Sequence, residues 1–82
     1  MAKVKFEVIR DYVDGSVDGY KLGKWYLMKH YYWGNSYEWI INDTGRNYFY
    51  SYECISEMPN TFIVHSCKEG KQKLIELNNA ER

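Results

Sequence analysis

The sequence predicts an α+β fold: a twisted antiparallel sheet of 4–5 strands around a central β-meander, with one C-terminal helix packed on one face. Three observations carry this. Aromatic residues concentrate between Trp25 and Tyr52, a segment with 11 of the 15 aromatics and only four of the 22 charged residues. Turn-forming groups punctuate that segment at Gly34-Asn35-Ser36 and Asp43-Thr44-Gly45. A capping box, Ser66-Cys67-Lys68-Glu69, opens a helical pattern near the C-terminus. A small SH3-like, partly open barrel plus helix is the alternative arrangement of the same elements.

The elements follow in order. Between Lys3 and Val13, Val4, Phe6, Val8 and Tyr12 alternate with Lys5, Glu7 and Asp11, the period of a strand with one buried face. Asp14-Gly15, Asp18-Gly19 and Gly23 make 14–23 read as a loop or a loosely paired hairpin end that carries little core. Strands at 24–33, 37–42 and 46–52 form the meander. Three-residue turns between them place Trp33 opposite Tyr37 and Trp39 opposite Phe49. One face then carries Trp25, Leu27, Tyr31, Trp33, Tyr37, Trp39, Ile41 and Phe49, and is the expected core. The other carries Tyr26, Met28, His30, Tyr32, Ile40, Tyr48, Tyr50 and Tyr52. Residues 53–60 fit either a short helix capped by Ser51 or a strand running past Cys54, and Pro59 ends whichever forms. Thr61–His65 is β-branched and reads as the final strand. A helix over 67–79 follows, with Cys67, Gly70, Leu74, Ile75 and Leu77 or Asn78 near its apolar stripe, which must lie on the aromatic sheet face.

An 82-residue chain is too short to divide, so 1–82 is expected to be a single domain. Eleven basic residues balance eleven acidic ones, so neither a basic nucleic-acid footprint nor an acidic nucleic-acid-mimic surface shows in the total. No apolar run approaches the length of a membrane span, and the first residues, Met1-Ala2-Lys3-Val4-Lys5, do not lead into a signal sequence. Two cysteines, Cys54 and Cys67, are too few for a disulfide scaffold, so a reducing cytoplasmic setting is expected.

Chemistry-bearing clusters are sparse. His30, Cys54, His65 and Cys67 are the soft metal ligands, but only His65 and Cys67 lie close in sequence, and zinc-module spacing is absent. Cys67 at a helix start beside His65 has the ingredients of an activated thiol, yet no third group or oxyanion site accompanies it. Asp11, Asp14 and Asp18 do not follow the ligand spacing of a calcium loop and read as solvated turn residues. Neither a phosphate-binding glycine loop nor a nucleophile elbow occurs. The expectation is a protein without catalytic residues, metal or cofactor.

What remains is the second sheet face, where Tyr26, His30, Tyr32, Tyr48, Tyr50 and Tyr52 would lie together. Tyrosine joins a rigid apolar ring to a hydrogen-bonding tip and is enriched at binding surfaces. These six are the candidate partner-binding residues. The leading expectation is a non-catalytic inhibitor or adaptor, of the kind phages and mobile elements encode, that engages a protein partner through this face. The bland alternative is that strand one or the 53–65 segment covers the same face. A single-strand nucleic-acid binder would stack bases on these rings and use Lys24, Lys29, Arg46, Lys68, Lys71 and Lys73, against the zero net charge. A homo-oligomer pairing through the patch is the third reading.

Overall fold

The computed structural model describes residues 4–10, 17–31, 37–45 and 58–80. Five strands form one antiparallel sheet in the order β1 (Glu7–Arg10), β2 (Val17–Leu22), β3 (Trp25–Tyr31), β4 (Tyr37–Asn42) and β5 (Phe62–Val64). Among the described residues the sheet is open, with β1 and β5 at its two edges. One helix, α1 (Cys67–Ala80), follows β5 and lies across β2, β3, β4 and β5. The expected α+β architecture is thus present, and among the described residues the sheet does not close into a barrel.

The alternation of β3 and β4 decides the core. Trp25, Leu27, Trp39, Ile41 and Val64 are buried together with Leu74 of α1, and Phe6, Tyr20, Leu22, Phe62, Cys67 and Leu77 pack around them. Burying a side chain of this size contributes about 1.5–3 kcal/mol, so this layer is the main source of stability. The helix stripe falls where the 3.6-residue period put it: Gly70 and Leu74 are buried and Cys67, Ile75 and Leu77 half-buried. At Gly70 the helix comes down onto Leu27, and a Cβ there would stand 2.7 Å from Leu27 Cδ2. The helix start is capped as expected. The Glu69 amide donates to Ser66 Oγ at 3.1 Å, and the Glu69 carboxylate reaches back to accept from the His65 amide at 3.2 Å.

The expected loop at 14–23 is corrected: residues 17–22 are β2, paired with β1 on one side and β3 on the other, and Tyr20 and Leu22 belong to the core layer. Asp18-Gly19 looks like a turn because most Asp-Gly pairs are turns. Here Gly19 serves close approach instead, since a Cβ would lie 2.8 Å from both Ile9 Cγ1 and the Leu27 carbonyl oxygen. The turn sits at Gly23-Lys24, where Leu22 pairs with Trp25 and Gly23 has φ +63°. A two-residue hairpin of this kind needs positive φ at its first central position, which glycine supplies without strain.

The β3–β4 register is the second correction. Tyr31, not Trp33, stands opposite Tyr37, two residues from the expected register, and residues 32–36 lie outside the described residues. The displacement is an even number of residues, so with a side-chain period of 2 it leaves the faces of β3 and β4 as expected. The turn after β4 is held by Asn42, whose buried Oδ1 accepts from Gly45 N at 2.9 Å, Thr44 N at 3.2 Å and Thr44 Oγ1 at 3.3 Å. Asn60, with φ 55°, donates from Nδ2 to Asp43 Oδ2 at 3.1 Å and ties this turn to the one preceding β5. The first strand begins at Glu7, later than expected, and the helix ends at Ala80. The expected strand at 46–52 and the alternatives for 53–57 lie outside the described residues, as do Trp33 and Phe49.

Candidate functional site

The second sheet face is built from Ile9, Tyr26, Met28, His30, Glu38, Ile40 and Ile63. Of the six residues expected to meet a partner, Tyr32, Tyr48, Tyr50 and Tyr52 lie outside the described residues. The other two do share this face, but neither is an open contact. His30 is 0% exposed, opposite Glu38 in the β3–β4 register. A side chain so enclosed reaches no partner directly, and its neighbours Met28 and Ile40 are equally buried, at 5% and 0% exposure. Tyr26 is half-buried: its ring packs on Gly45 and carries the Lys21 ammonium 4.8 Å from its centroid. A hydrogen bond to Tyr26, with the nearby Glu7 carboxylate adding to it, holds Lys21 above the ordinary lysine pKa.

Lysines cover the aromatic rings elsewhere as well. Lys71 lies over Tyr20 at 4.0 Å and over Phe6 at 5.5 Å, and Lys73 over Phe62 at 5.0 Å. Lys24 lies over Trp25 at 5.5 Å and Lys29 over Trp39 at 5.6 Å. These stems shield the flanks of the aromatic layer while their charges stay near water. The same placement occupies ring faces on which a base would have to stack.

The described soft ligands are dispersed. Cys67 packs against the core beside Val64 and Leu74, His65 is exposed, and His30 is on the opposite face of the sheet. Among the described residues no group of three or more His, Cys, Asp or Glu side chains is placed to hold a metal ion. Cys54, Asp11 and Asp14 lie outside the described residues, as does the side chain of Asp18. No described helix is long and apolar enough to cross a membrane.

A feature the sequence reading did not single out is the flank where β5 meets α1. A groove of about 720 Å³ runs between them, with Phe62 and Val64 on its strand side and Lys68, Gln72, Lys73 and Glu76 on its helix side. Among the described residues no strand lies on the outer side of β5. The two edges of the sheet are unlike. β1 (Glu-Val-Ile-Arg) carries charge at both ends and a register shift between Ile9 and Arg10, devices that discourage further pairing. β5 (Phe-Ile-Val) carries no charge and no shift in register against β4. Its signal in the sequence was present: an uncharged β-branched run joined by two residues to a capped helix, which forces the helix to start beside that strand.

Comparison with known proteins returns nothing: no family model, no curated protein and no solved structure matches the chain.

Proposed function

We propose that this protein is a non-catalytic binding module, of the inhibitor or adaptor kind, that engages a protein partner at the flank formed by β5 and α1. The observation that carries the reading is the uncharged edge of β5, outermost among the described strands, beside a groove floored by Phe62 and Val64 and overhung by Lys73. An edge strand is a row of backbone donors and acceptors, and a protein chain is the ligand that matches such a row. The reading keeps the partner class expected from the sequence and moves the contact. His30 is enclosed, so the phenol-rich face is replaced by the flank as the first surface to test. Balanced charge and lysine-covered rings weigh against single-stranded nucleic acid, which needs a positive groove and open ring faces.

The test is site-specific photo-crosslinking in the native host. A benzophenone amino acid replaces Gln72, exposed in the groove, or Val8, 56% exposed at the far edge. A discrete protein adduct from position 72 and none from position 8 is expected. Equal labelling from both, or none from either, defeats the proposal.

A further inference from the structure

We propose that Asn42 accepts an N-linked glycan only while the chain is unfolded, and that a glycan there bars the native fold. The folded protein then cannot arise in a compartment that carries out this transfer.

The acceptor pattern is Asn42-Asp43-Thr44, an Asn-x-Thr motif without proline at its centre. Such acceptors ordinarily occupy surface loops, because the sugar is bulky and must stand in water. Asn42 departs from that rule. It is the last residue of β4, opposite Tyr26 of β3, and is 1% exposed.

The two ends of the motif are bonded to each other. Asn42 Oδ1 accepts from Thr44 N at 3.2 Å, from Thr44 Oγ1 at 3.3 Å and from Gly45 N at 2.9 Å. Turn chemistry accounts for this spacing, since an Asn side chain that bonds the backbone two residues on fixes a turn of this kind. The residues that spell an acceptor are therefore the residues that close the β4 turn. In the native state the amide is enclosed beyond the reach of a transferase.

In the unfolded chain the same amide is accessible. Transfer from a lipid-linked oligosaccharide pyrophosphate forms a bond between Asn42 Nδ2 and the first sugar carbon. The bond from that carbon to the pyrophosphate breaks, the pyrophosphate lipid leaves with the electron pair, and the amide nitrogen loses one proton.

The product has no route back to the native state. A sugar on Nδ2 needs a path to solvent, and the 1% exposure of Asn42 provides none. The Tyr26 ring, packed on Gly45, closes this side of the turn. Swinging the side chain outward removes one acceptor from three donors at once and strips Thr44 N and Gly45 N of their partner. The damage is not local. Asp43 Oδ2 accepts from Asn60 Nδ2 at 3.1 Å, which ties this turn to the one before β5, and β4 itself pairs with both β3 and β5.

The experiment directs the full chain into the secretory compartment of a eukaryotic cell behind a cleavable signal sequence, with and without tunicamycin, which blocks assembly of the sugar donor. Redox conditions are the same in both arms. Without the drug the chain should carry one endoglycosidase-sensitive glycan. It should be digested by trypsin about tenfold faster or more than the drug-treated chain, because cleavage follows the population of open molecules. Thr44→Ala removes the motif and keeps both backbone donors to Asn42, so this variant should be unglycosylated and resist trypsin without the drug. The purified folded protein, presented to the same transferase, should stay unmodified. An unshifted chain in the absence of the drug, or modification of the folded protein, overturns the acceptor assignment. Equal digestion in the two drug arms overturns the claim that the glycan bars the fold, whatever the Thr44 variant does.

Discussion

The two faces of the sheet are made from alternate residues of the same strands, and they differ in what they bury. The face under α1 holds Trp25, Leu27, Trp39 and Ile41, with Leu74 pressed onto it from the helix. The opposite face holds Met28 and Ile40 and, beside them, the polar His30 and Asn42, all at 5% exposure or less. Side-chain parity sorts these two sets without error in β3 and β4. It does not say whether a face meets water. The better indicator is the absence of a polar alternate: Trp25-Tyr26-Leu27-Met28 and Trp39-Ile40-Ile41 are continuous apolar runs, the pattern of strands buried on both sides. The first strand is a further correction: Val4 and Val8, expected on its buried face, are exposed at 46% and 56%, whereas Ile9, at the same parity as Lys5 and Glu7, is half-buried against Met28 and Ile40, because an edge strand is covered only where its neighbours reach it.

Core deletions should break the comparison hardest if it is wrong. Trp39→Ala should lower the unfolding free energy by about 3–5 kcal/mol, measured by denaturant titration. Met28→Ala, on the face first expected to be free for a partner, should cost about 2–5 kcal/mol. A loss under about 0.5 kcal/mol at Met28 would return that face to the surface category. The histidines offer a check without mutation. His65 is exposed and His30 wholly buried, so diethylpyrocarbonate should modify the first quickly and the second only when the chain opens. Equal rates in the native protein would show that the second face is accessible.

The helix-covered face can be probed more finely at Gly70. In an exposed helix, Gly→Ala stabilises by about 1 kcal/mol through propensity alone. At Gly70 the new methyl meets Leu27, which has no exposed surface and no room to withdraw. Overpacking of about 1–3 kcal/mol should outweigh the propensity gain, for a net loss on the order of 1 kcal/mol. In the Leu27→Ala background the obstruction is gone, and the same substitution should instead stabilise. Unequal effects in the two backgrounds measure the coupling directly. Additive values would mean that the helix does not sit on Leu27.

Most of this fold was legible because local signals and tertiary needs agreed. The capping box, the stripe through Gly70 and Leu74, and the parity of β3 and β4 each follow from spacing. The misreadings share one cause, that a residue's usual role yielded to a tertiary contact. Gly19 is inside a strand because Ile9 and the Leu27 carbonyl leave no room for a side chain, and only the folded neighbours reveal that. The β3–β4 register differs by two residues from the one that a Gly34-Asn35-Ser36 turn implies, because turn residues mark where a chain can reverse and not which residues pair across it. The candidate site was the least legible part. Tyrosine content advertises binding capacity, whereas an open edge is a property of strand order, and nothing in the residues of β5 alone says that it stands last among the described strands.

The smallest expected effect sits at the rim of the second face, where Lys21 and Tyr26 pair across β2 and β3. The Lys21 pKa is raised chiefly by its hydrogen bond to Tyr26. A raised lysine pKa means that the folded state binds the proton more tightly than the unfolded chain does. The stabilisation is therefore complete below the ordinary lysine value of about 10.4 and fades as pH climbs through the higher folded value. Tyr26→Phe keeps the ring under the ammonium and removes the hydroxyl, so Lys21 should titrate at lower pH in the variant, read from its side-chain nitrogen resonance. Stability at neutral pH should change little, since Lys21 is only partly buried at the rim of the sheet and its interaction is screened by solvent. An unchanged Lys21 titration would mean that the phenol does not hold the ammonium. Tyr26 would then be a ring with a free hydroxyl tip, and the rim of the second face would regain a polar group able to meet a partner.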